Sequence, residues 1–107
     1  MIRAALVFLV FSLWAAEALS AFYDGNALFA DCEKGDENNP TEWGICMGYT
    51  IGLADAFDER MFCVPPNAKQ GQVTDVVKLW LRDHPEKRHS AGSSLVLNAL
   101  KEKFPCE

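Results

Sequence analysis

A chain of 107 residues, half of them apolar and with a net charge of −5, is long enough for one domain with a modest core. The negative balance argues against nucleic acid as a partner, and at this size it describes a solvated surface. No HExxH, nucleophile elbow or glycine-rich phosphate loop occurs, so no catalytic residue and no cofactor is assigned.

Arg3 precedes an apolar run from Ala4 to Ala16, and Ala16-Glu17-Ala18 supplies a small-x-small pattern. Residues 1–21 therefore read as a secretory signal peptide cleaved between 18 and 21, leaving one domain over 22–107. The run is too short for a stable anchor, and no cysteine follows it to accept a lipid. The expected mature chain is exported and free of the membrane, and losing Arg3 with Glu17 leaves the net charge at −5.

Asp24, Gly25 and Asn26 predict a turn and cap, Leu28, Phe29 and Cys32 a short apolar stripe, and Gly35 a stop. Asp36 to Asn39 follows as a polar connector. From Asn39 to Asp58 the chain reads as the helix on which the rest is organised. Asn39 is expected to cap it, Pro40 suits its first position, and Glu42 stands where a capping box places a carboxylate. Trp43, Cys46, Met47, Thr50, Ala54 and Phe57 recur at steps of three and four, which predicts one buried face.

Gly44, Gly48, Gly52 and Ala56 make a second stripe. A glycine inside a helix costs about 0.5–1 kcal/mol relative to alanine, so three of them ask for a compensating contact. Close packing of a neighbouring helix is the expected contact, and a homodimer face is the alternative. A membrane helix is rejected, since Glu42, Asp55 and Asp58 bracket too short an apolar run.

Pro65-Pro66-Asn67 breaks the segment from Glu59 to Gln70, where Phe62 and Val64 are expected to face inward. Val73, Val76, Val77, Trp80 and Leu81 then give the clearest amphipathic pattern, ending before His84-Pro85. After a polar turn, Ser90 is placed to cap a last helix whose apolar face is Ala91, Leu95, Val96, Ala99 and Leu100, running down to Phe104. The fold class is all-α, a small bundle of four main helices.

Cys32, Cys46, Cys63 and Cys106 all follow the signal segment. An even count in an oxidising compartment predicts two disulfides, with three pairings open. Folding the first two helices antiparallel across the turn at 36–39 favours Cys32 with Cys46, which leaves Cys63 with Cys106. Zinc is the competing reading, but no CxxC pair is present and no metal is assigned.

His84 and His89 flank a proline turn that does not fix them on one face, so they read as solvated or capping groups. Asp55, Asp58 and Glu59 cluster at the end of the central helix, the unfavourable end of its dipole for carboxylates. A structural role, bonding to the loop amides beyond the helix, is assigned to Asp55, and exposed positions to Asp58 and Glu59.

In order, DGNALFADC, WGICMGYTIGLADAF, FCVPP, GQVTDVVKLWLRDHPEKRH and AGSSLVLNALKEKFPC resemble the Rap/Tai family of periplasmic immunity proteins over nearly all of the exported chain. The resemblance implies a small disulfide-linked helical protein, in many members a dimer, that is not an enzyme. It implies binding to a peptidoglycan amidase effector delivered by type VI secretion and inhibition by blocking its active site. Carried over are the four cysteines as disulfide positions, Gly48, Tyr49, Gly52 and Asp55 as the central motif, and Pro65, Gln72, Pro85 and Pro105 as punctuation. The amidase-contacting residues are not part of that motif, since a recognition surface matches one partner. The polar segments supply the candidates: Asp36, Glu37, Asp58, Glu59, Asn67 and Lys69. A periplasmic acid-stress chaperone and a small hydrolase stand as rival readings.

Overall fold

A computed structural model describes residues 22–107, and the expected signal segment lies outside them. The helices are α1 (Gly25–Lys34), α2 (Pro40–Phe57), α3 (Gln70–Asp83) and α4 (Gly92–Lys103), with a 3₁₀ turn at Pro85–Lys87. Among the described residues there are no strands, only isolated bridges such as Asp24 with Ala91.

The helices meet through the faces their periodicity announces. Leu28 and Cys32 of α1, Cys46, Thr50 and Ala54 of α2, Val73, Val77, Trp80 and Leu81 of α3, and Leu95, Val96, Ala99 and Leu100 of α4 are buried. Phe62, from the loop between α2 and α3, is fully enclosed and fills the centre, while Val64 is half-buried. Fully burying each of the leucines, valines and Phe62 in this set stabilises the bundle by about 1.5–3 kcal/mol.

Both disulfides form with the favoured pairing. Cys32–Cys46 lies in the core and closes the α1–α2 hairpin, and Cys63–Cys106 ties the C-terminal tail to the loop after α2. Cys63 N–H also donates to the Phe104 carbonyl at 2.8 Å, so tail and loop are joined twice.

The caps depart from expectation at two of four helix starts. Asp24 caps α1 through the Ala27 N–H at 2.9 Å, as its sequence suggests. Asn39 instead turns its amide to Asp36 Oδ1 at 3.2 Å, and Glu42 pairs with Lys34 at 3.4 Å rather than reaching back. The reciprocal glutamine of a capping box occurs on α3, where Gln72 Oε1 accepts from Lys69 N–H at 2.8 Å. Ser90 is not the cap of α4. Its carbonyl accepts from Gly25 N–H at 2.8 Å, which holds this stretch extended against the start of α1 and moves the cap position to Ala91.

That crossing explains one glycine, and the α1–α2 turn explains another. A Cβ on Gly25 would lie 2.7 Å from the Arg88 carbonyl oxygen, and one on Gly35 would lie 2.6 Å from the Trp43 backbone. Gly35 is therefore needed for close approach and not for a left-handed cap, its φ being −67°. The stripe on α2 is different. Gly44, Gly48 and Gly52 are exposed, with nothing within 4 Å of an added Cβ, so among the described residues no neighbouring helix packs there. The three other helices all gather on the opposite face, where Cys46, Thr50 and Ala54 point.

Candidate functional site

The 18 residues of α2 separate the candidate loops by about 27 Å at 1.5 Å per residue. Asp36 and Glu37 stand at its start. Asp58, Glu59, Asn67 and Lys69 stand at its end, where the loop from α2 returns to begin α3. The six candidates therefore form two groups rather than one surface.

At the first end, Asp36 Oδ1 accepts from the N–H groups of Asn38 at 2.8 Å and Asn39 at 2.9 Å. Its carboxylate is engaged in shaping its own turn, whereas Glu37 projects into solvent.

At the second end the roles of two aspartates are exchanged relative to the sequence reading. Asp58 Oδ1 accepts from Val64 N–H at 2.9 Å across the loop, and Asp58 is half-buried. Asp55 is exposed, and among the described residues no hydrogen bond to its carboxylate occurs. Asp58 is the residue at which α2 ends, its N–H still bonded to the Ala54 carbonyl at 2.8 Å, and the loop that follows brings the Val64 N–H to its carboxylate. Glu59 makes that reversal with a φ of 67°, in the left-handed region, while its N–H donates to the Phe62 carbonyl at 2.8 Å. For a residue other than glycine this conformation costs roughly 1–2 kcal/mol. Met61 beside it is 39% exposed, a large apolar side chain held at a loop tip.

Between this loop, the last turns of α2 and the first turn of α3 lies a depression of about 150 Å³. Ile51, Ala54, Val64, Ala68 and Val73 wall it, and Asp55, Asp58 and Gln70 bring polar groups to it. A second groove, of about 290 Å³, runs between α3 and α4. It is floored by Trp80, whose indole N–H donates to Glu102 at 2.9 Å, and edged by Leu79, half exposed.

His84 stacks on the Trp80 ring at 4.0 Å and directs Nδ1 to the Trp80 carbonyl at 2.7 Å. A carbonyl only accepts, so Nδ1 carries the proton and the imidazole serves as a C-terminal cap of α3. His89 is exposed, and the two histidines do not converge with the carboxylates of α2. Among the described residues no three His, Cys, Asp or Glu side chains gather as metal ligands. No helix there is long and apolar enough to cross a membrane.

Arg88 is a residue whose role its sequence context did not reveal. Its guanidinium donates to the Leu81 carbonyl at 2.7 Å and the Arg82 carbonyl at 3.2 Å, and lies 3.9 Å from the Phe29 ring centre. Its own carbonyl accepts from Asn26 N–H at 2.8 Å. One side chain thus closes α3 and joins the polar turn to α1. Nearby, the Tyr23 hydroxyl donates to the Asp31 carboxylate, and burial together with that carboxylate pushes the phenol well above its usual range.

The profile of the Rap1a immunity proteins matches residues 24–106, a span holding all four helices and all four cysteines. The chain belongs to the Rap1a immunity protein family. No curated protein matches it. Membership of an immunity protein family implies binding to a cognate effector.

Proposed function

We propose that this chain is a non-enzymatic periplasmic immunity protein that binds a peptidoglycan amidase delivered by type VI secretion and occludes its active site. The observation that carries this reading is the family match across the whole described bundle. An export signal at residues 1–21 suits it, since the substrate of such an enzyme lies outside the cytoplasm. The disulfides suit it as well, for they persist in an oxidising compartment.

The end of α2 is the favoured contact surface. There Asp58 and Glu59 adjoin a strained loop tip with an exposed methionine, Asn67 and Lys69 lie where the same loop runs into α3, and backbone held in a costly conformation is common at binding sites. Asp36 and Glu37 belong to a separate, secondary contact. The bare glycine stripe of α2, with Ile45 beside it 43% exposed, is the face on which a homodimer forms, since close approach of a second α2 is what small residues permit. Gly48 and Gly52 of the central motif lie on that face, whereas Tyr49 packs inward on Tyr23 with ring centres 5.1 Å apart. The reading is tested by following hydrolysis of purified peptidoglycan by a type VI amidase, the product of a neighbouring gene being the first candidate, as the oxidised chain is added. Activity is expected to fall to zero at stoichiometric equivalence, and undiminished hydrolysis would exclude it.

A further inference from the structure

We propose that the depression at the end of α2 is a receptor for one basic side chain of the effector, an arginine before a lysine; the proposal rests on the immunity reading above. Its size is the first argument. About 150 Å³ suits a single side chain and is smaller than the roughly 300–1,000 Å³ of ordinary small-molecule sites. Its walls are the second. Ile51, Val64 and Val73 offer apolar surface of the kind that the methylene stem of a long basic residue covers.

Charge is the third argument. The ionisable residues lining the depression are both carboxylates, Asp55 and Asp58, and none is basic. Asp55 reaches the depression from the last turn of α2 and Asp58 from the residue that ends it. No basic residue occupies the last turn of α2, so nothing on that helix offsets them or the negative end of its dipole. Asp58 is held in place by the Val64 N–H, and its second oxygen has no donor among the described residues. Asp55 is exposed. Two carboxylates at one small depression favour a guanidinium, whose several donors can serve both, and a partner's surface would bring it to an already formed site. Lys69 and Arg60, basic residues in the adjoining loop, are exposed and do not line the depression.

The site is tested without the effector by titrating isotope-labelled protein with Nα-acetyl-arginine-N-methylamide and, separately, its norleucine counterpart. The arginine amide is expected to give saturable shifts at the backbone amides of Ile51, Asp55, Asp58 and Val64. They should weaken at high salt and fall about tenfold in affinity in Asp55→Asn. The absence of such shifts, equal shifts from norleucine, or an unaffected Asp55→Asn would overturn the site. With the amidase, Asp55→Lys is expected to weaken binding at least about tenfold while the helical spectrum is unchanged. If wild type binds tightly and Asp55→Lys binds equally, the pocket is not a contact and the immunity reading stands. If wild type itself does not bind, the immunity reading and the effector half of this proposal fall together.

Discussion

Single residues decide how this chain closes. Arg88 sits in the run HPEKRH, where composition suggests a solvated turn, yet it satisfies two carbonyls at the end of α3 and covers the Phe29 ring. Hydrogen bonds from a charged donor contribute about 1.5–3 kcal/mol, and truncation also leaves the α3 carbonyls unpaired. Arg88→Ala should therefore lower unfolding free energy by about 2 kcal/mol in urea denaturation. Arg88→Lys should recover less than half of that loss, because an ammonium cannot span both carbonyls and lie flat on an aromatic ring. Equal stability of Arg88→Ala and wild type would remove the assignment. The exchange of roles between Asp55 and Asp58 has the same origin. Asp58 is the residue at which α2 ends, and the loop that follows brings the Val64 amide to its carboxylate.

At the scale of elements, α2 is apolar or small on every side, yet its neighbours cover only part of it. Since an added Cβ at Gly48 meets nothing within 4 Å, Gly48→Ala should stabilise the chain by about 0.5–1 kcal/mol at dilutions where it is monomeric. Gly48→Trp, too large for two helices to cross closely, should abolish self-association in sedimentation equilibrium without unfolding the chain. A wild type that stays monomeric at high concentration would remove the dimer face. The four helices were legible because period and proline placement are local: Val73 to Leu81 and Leu95 to Leu100 announce their buried faces unaided. The caps at Asn39 and Ser90 were not, because Asp36 draws the asparagine amide away and the start of α1 claims the serine carbonyl. The glycine stripe was visible as a pattern, but a pattern does not say whether a face is covered. Of the proposed recognition surface, the polar loops were visible in the sequence. The helix read from Asn39 to Asp58 already set Asp36 and Asp58 at its two ends, but no local pattern announces the walled depression beside Asp55, which forms only when α2, the loop and α3 meet.

The whole molecule is held by two crosslinks of unequal standing. In the chain-entropy account, a sequence separation of 14 gives about 3 kcal/mol for Cys32–Cys46, and one of 43 gives about 4 kcal/mol for Cys63–Cys106. Accessibility runs the other way. Cys32 and Cys46 are fully buried, whereas Cys106 is exposed and Cys63 half-buried. Titration with dithiothreitol, followed by alkylation and mass spectrometry, should label Cys63 and Cys106 before Cys32 and Cys46, since a thiolate must reach the sulfur it attacks. Simultaneous labelling would show that the bundle opens as one unit before either bond is reduced. Because the outer bond anchors the loop that carries Phe62 and Val64, its loss should loosen the end of α2 first.

The proposed inhibition by occlusion requires direct, saturable binding, so the most direct measurement is calorimetric titration of the oxidised chain into a type VI peptidoglycan amidase, the product of a neighbouring gene being the first candidate. Hydrolysis of purified peptidoglycan should be followed on the same samples. Saturable binding with a dissociation constant on the order of nanomolar or below, and loss of activity at the same equivalence point, is the predicted result. Absence of heat at saturating concentrations, with hydrolysis unaffected, would contradict the account.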